Sequence, residues 1–296
     1  MVAVIKNRKT FFSISAVLVV VSLIAVSVWG LKLGIDFTGG TISEMHFEGD
    51  LPEKGAVEQV LSVLDIEGST VAPFGENGYL VRMPFIEEST HNDLIGAFQE
   101  SYGDAWREDR FETVGPSISD ELREKTFSAI AIVVLAIVLY IAWAFRSVSA
   151  PVKSWKYGIV AIVALIHDVV IPTGIFAVLG HFYGVEVDVL FVTALLTILG
   201  FSVNDTIVTF DRVRENLLKR KHDDFEHIVN DSVNQTISRS INTSVTTLLA
   251  LLAIYFFGGT TTKNFVLTLS LGVVIGTYSS LFLASPLLVE WYKRSR

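Results

Sequence analysis

Six long apolar stretches dominate the pattern of hydrophobic and polar positions along the chain. Each has about 20 residues, the length of helix that crosses the hydrocarbon core of a bilayer. They are Phe11–Leu31, Phe127–Phe145, Tyr157–Leu179, Val189–Phe210, Ser238–Phe257 and Phe265–Trp291. The pattern predicts an α-helical polytopic membrane protein with six transmembrane helices, the first within residues 1–31 and the other five within residues 126–296.

The first apolar stretch follows Lys6, Arg8 and Lys9, as the apolar part of a signal peptide would. It is longer than the roughly 7–15 residues usual for a signal peptide. No small-x-small cleavage site follows in the stretch VWGLKLGIDF. We therefore interpret it as an uncleaved membrane anchor.

A region with different patterning, residues 32–125, separates the first two helices. Four short runs have strand character (TISEMHFE, STVAPF, YLVRMPF and RFETVG), and two stretches have apolar residues at helical spacing (EKGAVEQVLSVLD and STHNDLIGAFQESYG). Ser89 or Thr90 is the expected N-cap of the second helix. The order β-α-β-β-α-β predicts a small ferredoxin-like α+β domain. A generic small α+β domain is an equally good interpretation.

Charge separates this domain from the rest of the chain. Its 7 basic and 20 acidic residues give a net charge of −13, while the remaining residues carry +5 of the total of −8. The whole chain is 51% hydrophobic and 18% charged, with a mean hydropathy of +0.51. The acidity argues against nucleic acid or anionic lipid as a partner of the domain.

The positions of lysine and arginine predict the orientation in the membrane. If six helices alternate, the basic residues of both termini and of two connections lie on one side. Those in the connections and the C-terminal tail are Arg146, Lys153, Lys156, Arg212, Arg214, Lys219, Arg220, Lys221, Lys293, Arg294 and Arg296. Both termini are therefore expected in the cytoplasm and residues 32–125 outside it. The chain has no cysteine, so it has no disulfide framework.

Two acidic residues interrupt the apolar stretches. Asp168 lies about halfway along the third segment, after His167, and Asp205 lies in the inner half of the fourth, beside Asn204. Carboxylates inside a membrane are rare and usually face a bundle interior or an ion pathway. Each is a candidate proton site. The alternatives are a buried structural aspartate at Asp168 and a water-exposed helix end at Asp205.

Arg239 lies in the polar half of the fifth segment. The purely apolar part, Leu248–Phe257, is too short to span a bilayer, so the helix must include Ser238–Thr247. We expect the hydroxyl and amide side chains of this half to face other helices. Asp205 is the candidate partner of Arg239. The alternative is an arginine that extends to the cytoplasmic boundary.

The sixth segment carries small residues four apart, among them Gly272 and Gly276. Such a row lets two helix backbones approach closely, so we interpret it as a packing surface. The chain has no phosphate-binding loop, no HExxH, no GxSxG and no convincing set of metal ligands. We therefore expect no cofactor, and any transport would not use ATP hydrolysis by this chain.

Several motifs resemble the SecF family of the bacterial Sec protein-export machinery. The first, GIDFTGGT, follows the first helix and contains Gly34, Asp36, Gly39 and Gly40. The others, in chain order, are VGPSISDELREKT, ALIHDVVIPTG, LGFSVNDTIVTFDRVREN, NQTISRSINTSVTTL and LGVVIGTYSSLFLASPL. They span nearly the whole chain, and the motif around Asn204 and Asp205 is the most specific.

The resemblance implies one six-helix half of a transporter of the RND superfamily, in the inner membrane of a bacterium. SecD would supply the other half. The SecY–SecE–SecG channel, YajC and unfolded preprotein would be further partners, and the proton gradient would drive export. The positions matching Asp205 and Arg239 are implicated in proton conduction in that family. The rival functions are an independent RND-type exporter of lipid or small molecules and a non-transporting scaffold.

Overall fold

The computed structural model describes residues 2–145, 152, 154–220 and 223–294. The chain divides into two compact units, one formed by Met1–Lys32 with Ser128–Arg296 and the other by Leu33–Phe127. Four of the basic residues used to predict orientation, Arg146, Lys153, Lys221 and Arg296, lie outside the described residues.

The first helix, α1 (Arg8–Trp29), precedes the α+β domain. The elements of the domain follow in the order α2 (Ile35–Thr38), β1 (Gly40–Phe47), α3 (Lys54–Val63), β2 (Thr70–Pro73), β3 (Gly78–Met83), α4 (Glu88–Tyr102) and β4 (Trp106–Val114). The four strands form one antiparallel sheet in the order β2-β3-β1-β4. This arrangement confirms the predicted ferredoxin-like fold. The short helix α2 was not predicted.

Two boundaries within the domain differ from the prediction. Helix α4 begins at Glu88 after an N-cap at Glu87, so the expected cap at Ser89 or Thr90 is wrong. Glutamate is a good helix former, and a negative charge in the first turn interacts favourably with the helix dipole. Strand β4 begins at Trp106, four residues before the predicted start, because the Trp106 ring is buried against Phe98 with centroids 5.3 Å apart.

The glycine motif forms the turn between α2 and β1. Gly34 is the N-cap of α2, and Asp36 lies in its only turn. Gly39 and Gly40 have φ angles of +70° and +123°, which residues with a side chain rarely adopt. A Cβ atom at Gly40 would lie 3.0 Å from the carbonyl oxygen of Met83. The geometry gives these two glycines a conformational role in the domain.

Five further helices follow the domain: α5 (Pro116–Ala144), α6 (Ser154–Tyr183), α7 (Val189–Lys219), α8 (Phe225–Phe257) and α9 (Lys263–Tyr278). A π-helical segment, Ser279–Ala284, joins α9 to α10 (Ser285–Arg294) without a break. Within the described residues, six helical spans are long and apolar enough to cross a membrane, as predicted.

Two of these helices begin more than ten residues before their apolar stretches. Helix α5 begins at Pro116, where proline is well tolerated because the first turn needs no backbone donor. Helix α8 begins at Phe225, so it extends well beyond the predicted start at Ser238. An apolar window finds only the part of a helix that lies in lipid, and polar helix formers continue both helices past it.

A cluster of buried aromatic side chains lies inside the helical bundle, near the end at which both chain termini are found. The rings of Phe145 and Tyr157 stack with centroids 5.4 Å apart, and Phe210 packs edge-on against Tyr157 at 5.3 Å. All three residues are at most 2% exposed. This cluster joins α6, α7 and the residue that follows α5.

The N-terminal segment is held at the same end of the bundle. The Asn234 side chain on α8 bonds both backbone groups of Val2, with distances of 2.7 Å to the nitrogen and 2.9 Å to the oxygen. Arg8 bonds Glu290 on α10 at 3.3 Å. The first and last helices therefore share one network of polar contacts.

Candidate functional site

Asp168 is fully buried where α6, α7 and the π-helical segment meet. Its Oδ2 accepts hydrogen bonds from Ser279 Oγ at 2.7 Å and from Ser202 Oγ, and its Oδ1 lies 2.9 Å from His167 Nδ1. Three polar groups from three elements thus converge on one carboxyl group. This satisfies the rule that a buried charge must be hydrogen-bonded.

His167 is the least satisfied member of this cluster. Its ring is 3% exposed and stacks on Tyr278 with centroids 6.1 Å apart. Its Nε2 atom is buried and has no hydrogen-bond partner within the described part of the chain. The ring also lines an apolar cavity of about 310 Å³ between α1, α6 and the last helix, with Phe12 and Leu283 among its neighbours.

Asp205 has a less complete set of partners. Its Oδ1 accepts a hydrogen bond from Ser240 Oγ at 2.5 Å, which joins α7 to α8. Its Oδ2 is buried but has no partner among the residues that the structure describes. The next residue, Thr206, lies 3.0 Å from Ser280, oxygen to oxygen. Asp205 therefore retains one free acceptor position in a largely buried site.

Arg239 acts on Asp205 by its charge but does not bond it directly. In the described helices no carboxylate oxygen lies within 4.0 Å of the Arg239 guanidinium. Adjacent helical side chains point about 100° apart, because a helix has 3.6 residues per turn. Ser240 faces Asp205, so Arg239 points away from the bundle and is exposed. The candidate partners Arg239 and Asp205 therefore do not form an ion pair in this chain.

Exposed small or polar residues occur on both α7 and α8, and we refer to them together as the outward polar face. All of its members are exposed, and they lie on the same helices as Asp205 and Arg239. They are Thr193, Thr197, Gly200 and Asn204 on α7, and Arg239, Asn242, Thr243 and Thr246 on α8. The polar half of α8 was expected to face other helices, and within this chain only the side that carries the buried Ser240 and Ser244 does so.

Gly272 and Gly276 lie where α9 packs closely against α7. A Cβ atom at Gly272 would overlap the side chain of Ile198, and one at Gly276 would lie 3.1 Å from the Cβ of Ser202. The contact is internal to the chain. It brings Ser279 and Ser280, one turn further along, against Asp168 and Thr206.

The sequence analysis expected the hydroxyl groups of the polar half of α8, which include Ser240, to face other helices, but it did not assign three other serines to the surroundings of the carboxyl groups. Ser202, Ser279 and Ser280 are each 0% exposed, yet a serine in an apolar stretch carries little signal of its own. One cue was present: Ser202 and Asp205 are three residues apart and share a helix face. The π-helical segment that orients Ser279 and Ser280 had no recognisable sequence signal.

Comparison with known proteins places these features in a family. The family described as "Protein export membrane protein SecD/SecF, C-terminal" matches residues 95–294, and the "SecD/SecF GG Motif" family matches residues 26–50. The protein translocase subunit SecF of Thermobaculum terrenum is 45% identical, with 98% of this chain and 94% of the relative covered. SecF of Anaerolinea thermophila is 40% identical over the same shares of the two chains.

Solved structures agree with these sequence matches. The crystal structure of SecDF from Thermus thermophilus, a translocon-associated membrane protein, superposes with a TM-score of 0.82 and 32% identity. The match covers 99% of this chain but only 38% of the SecDF chain. The α+β domain, the six spans and the glycine motif all fall within these matches, and the chain therefore belongs to the SecF family of protein translocase subunits.

Proposed function

We propose that this chain is one half of a proton-driven protein-export machine and that SecD supplies the other half. The pair would use the proton gradient to promote preprotein movement through the SecY–SecE–SecG channel, with YajC as a further partner. The match to about two fifths of a SecDF chain supports an assembly larger than this chain. In this proposal both termini lie in the cytoplasm and the acidic domain lies outside, where it would hold unfolded substrate.

The observation that carries this proposal is the outward polar face next to Asp205. Lipid cannot satisfy the Arg239 guanidinium or the side-chain amides of Asn204 and Asn242, which are all exposed within this chain. A charged side chain at the centre of a membrane helix costs about 2.5–3.5 kcal/mol on insertion scales. A second subunit that covers this face would remove that cost and would enclose Asp205 between two halves.

Asp205 is the better proton carrier of the two carboxyl groups. Asp168 is 0% exposed and has polar partners on both oxygens, so neither of its oxygens is left without a hydrogen bond. Asp205 has one unpartnered oxygen and lies beside the exposed Asn204. Burial favours the neutral form of a carboxyl group and a nearby arginine favours the charged form, so the two effects oppose each other at Asp205.

The energy available is sufficient for a conformational switch. One proton that crosses a potential of 100 mV releases about 2.3 kcal/mol. Since about 1.4 kcal/mol changes an equilibrium tenfold, one proton can bias a two-state rearrangement roughly 50-fold.

The test is preprotein uptake by membrane vesicles that contain the complete export machinery, with and without a proton gradient. Asp205→Asn preserves size but removes titration, so it should assemble normally and lose the gradient-dependent part of uptake. Asp211→Asn is the matched control, since Asp211 is an exposed residue of the same helix paired with Arg214 at 2.7 Å. Full gradient-dependent uptake by Asp205→Asn at normal abundance would refute the proposed role of Asp205.

The same vesicles separate this proposal from an independent exporter. Such an exporter would cover the outward polar face with a second copy of the chain. In our proposal SecD covers this face instead, so cross-linking from Asn242→Cys should join the chain to SecD. A cross-linked homodimer as the main product would favour the independent exporter.

A further inference from the structure

The cavity beside His167 opens toward the outside of the helical bundle. It has a volume of about 310 Å³, and its lining side chains are apolar except for those of Ser15 and His167. Three of the apolar lining residues, Ala16, Val163 and Ile166, are exposed. They lie on helices that are long and apolar enough to cross a membrane, where an exposed apolar side chain faces hydrocarbon. A ligand would therefore reach this cavity from the lipid.

The His167 ring has one atom without a partner. The residue is 3% exposed, its Nδ1 lies 2.9 Å from Asp168 Oδ1, and its ring stacks on Tyr278. These contacts leave the Nε2 edge of the ring for the cavity. Nε2 makes no hydrogen bond within the described part of the chain. A buried polar atom without a partner, in a residue that lines a cavity, indicates a ligand.

The surroundings of Asp168 determine which partner Nε2 requires. Ser202 and Ser279 both donate to Oδ2 of Asp168, so the carboxyl group acts as an acceptor. A neutral histidine has one donor nitrogen and one acceptor nitrogen. Because Nδ1 donates to Asp168, Nε2 is the acceptor, and a buried acceptor without a partner is unfavourable. The ligand must therefore supply a hydrogen-bond donor.

The size and polarity of the cavity define the rest of the ligand. An engineered apolar cavity of about 150 Å³ stays dry and binds benzene. A cavity of about twice that volume has room for about ten to twelve non-hydrogen atoms. Water is a poor occupant, because a buried water needs about two to four polar partners and Ser15 Oγ already lies 3.4 Å from the Tyr278 hydroxyl. Apart from His167, the described lining residues include no titratable side chain that could balance a charged ligand.

We propose that this cavity binds an uncharged molecule from the membrane that has an apolar body of about ten carbon atoms and one hydroxyl group. The hydroxyl group donates to Nε2 of His167. The apolar body packs against Phe12, Leu283 and Leu287. The bound molecule thus contacts α1, α6 and the last helix together. This inference does not depend on the proposed transport role.

The experiment is photolabelling of the chain, assembled with SecD in lipid nanodiscs, by decanol that carries a diazirine on its alkyl chain. Mass spectrometry should locate the label on Ile166, Leu283 or Leu287, which line the cavity. Unlabelled decanol should prevent this labelling, with all concentrations expressed per lipid. A label that spreads evenly over the exposed helices, or that decanol does not displace, would overturn the site.

A side chain that fills the cavity should exclude the probe. Ala16 lines the cavity and is exposed, so Ala16→Phe adds a ring there without disturbing the core. Labelling of the cavity should fall about fivefold or more. Val17→Phe is the matched control, since Val17 is the next residue of α1, is 61% exposed and does not line the cavity. Equal labelling of the two variants would contradict the proposal.

Matched competitors test the hydrogen bond. Decyl methyl ether keeps the oxygen of decanol but has no hydrogen to donate. It should compete about 2- to 12-fold less well than decanol, the range expected for one hydrogen bond. His167→Phe keeps a ring beside Tyr278 but has no Nε2, so the preference for decanol should disappear in this variant.

A preference for decanol that persists in His167→Phe would exclude His167 as the acceptor. If His167→Phe fails to assemble, the two competitors decide the question in the unaltered protein. Equal competition by the ether and by decanol would then show that the cavity requires no donor, and the proposed class of ligand would be wrong.

Discussion

At the scale of single residues, Asp168 and Asp205 differ in what surrounds them. Asp168 has polar partners from three elements and is completely enclosed. Asp205 has one partner for one oxygen and none, among the described residues, for the other. A fully bonded carboxyl group fixes the elements that donate to it, whereas a partly bonded one can accept a further donor. The two aspartates are therefore suited to different tasks.

We predict that Asp168→Ala destabilises the folded chain by about 2 kcal/mol or more, because Ser202 and His167 would each lose a buried hydrogen-bond partner. Asp168→Asn keeps an oxygen that can accept from the serines, so its loss should be smaller. Thermal unfolding of the purified protein in detergent measures both effects. An unchanged unfolding temperature for Asp168→Ala would contradict the structural role of Asp168.

Sequence reasoning found the charged residues of the site but not their arrangement. Asp168, Asp205 and Arg239 stand out because charges are rare in apolar stretches. The direction of Arg239 could not be predicted, because it depends on which neighbour, Arg239 or Ser240, turns toward α7. Tertiary packing decides which of the two side chains faces α7. A rotation of α8 by about 100°, the angle between adjacent residues, would turn Arg239 toward α7 instead.

At the scale of elements, the close contact between α7 and α9 positions the site. Gly272 and Gly276 let the two helices approach, and the π-helical segment then widens the last helix where it passes Asp168. The sequence could predict the glycine row and the six spans. It could not predict the π-helical segment, which shares the apolar composition of the flanking helices.

We predict that Gly272→Leu prevents normal folding of the chain, because the new side chain would occupy the space of Ile198. Overpacking of this kind typically costs about 1–3 kcal/mol. Ile198→Ala in the same chain should restore part of the loss by making room. The yield of monodisperse protein after detergent extraction reports the result, and no rescue by Ile198→Ala would exclude this contact as the cause.

At the scale of the whole molecule, the membrane helices leave small and polar residues exposed on their outer surface. Gly200 and Asn204 lie four residues apart on the exposed side of α7, and Arg239 and Asn242 lie on the exposed side of α8. Small and polar residues are typical of helix interfaces within membranes. Gly272 therefore contacts another helix of the chain, whereas Gly200 faces outward.

We predict that Gly200→Leu leaves the chain itself folded, because no other atom lies within 4 Å of a Cβ at this position. The same side chain should obstruct a partner on the outward polar face. Recovery of SecD with the tagged chain should fall about 5- to 150-fold if the obstruction costs about 1–3 kcal/mol. Normal recovery of SecD would remove Gly200 from the interface, and Gly272→Leu provides the contrasting case in which the chain itself fails.

The outward polar face also has a consequence for cellular supply. A copy synthesised in excess of its partner would leave Arg239, Asn204 and Asn242 exposed to lipid. Such a copy should be less stable and persist poorly, since a charged side chain at the centre of a membrane helix costs about 2.5–3.5 kcal/mol on insertion scales. If SecD covers this face, as we propose, the face would also limit how much of one half accumulates without the other. The amounts of the two subunits would then be matched by turnover as well as by synthesis.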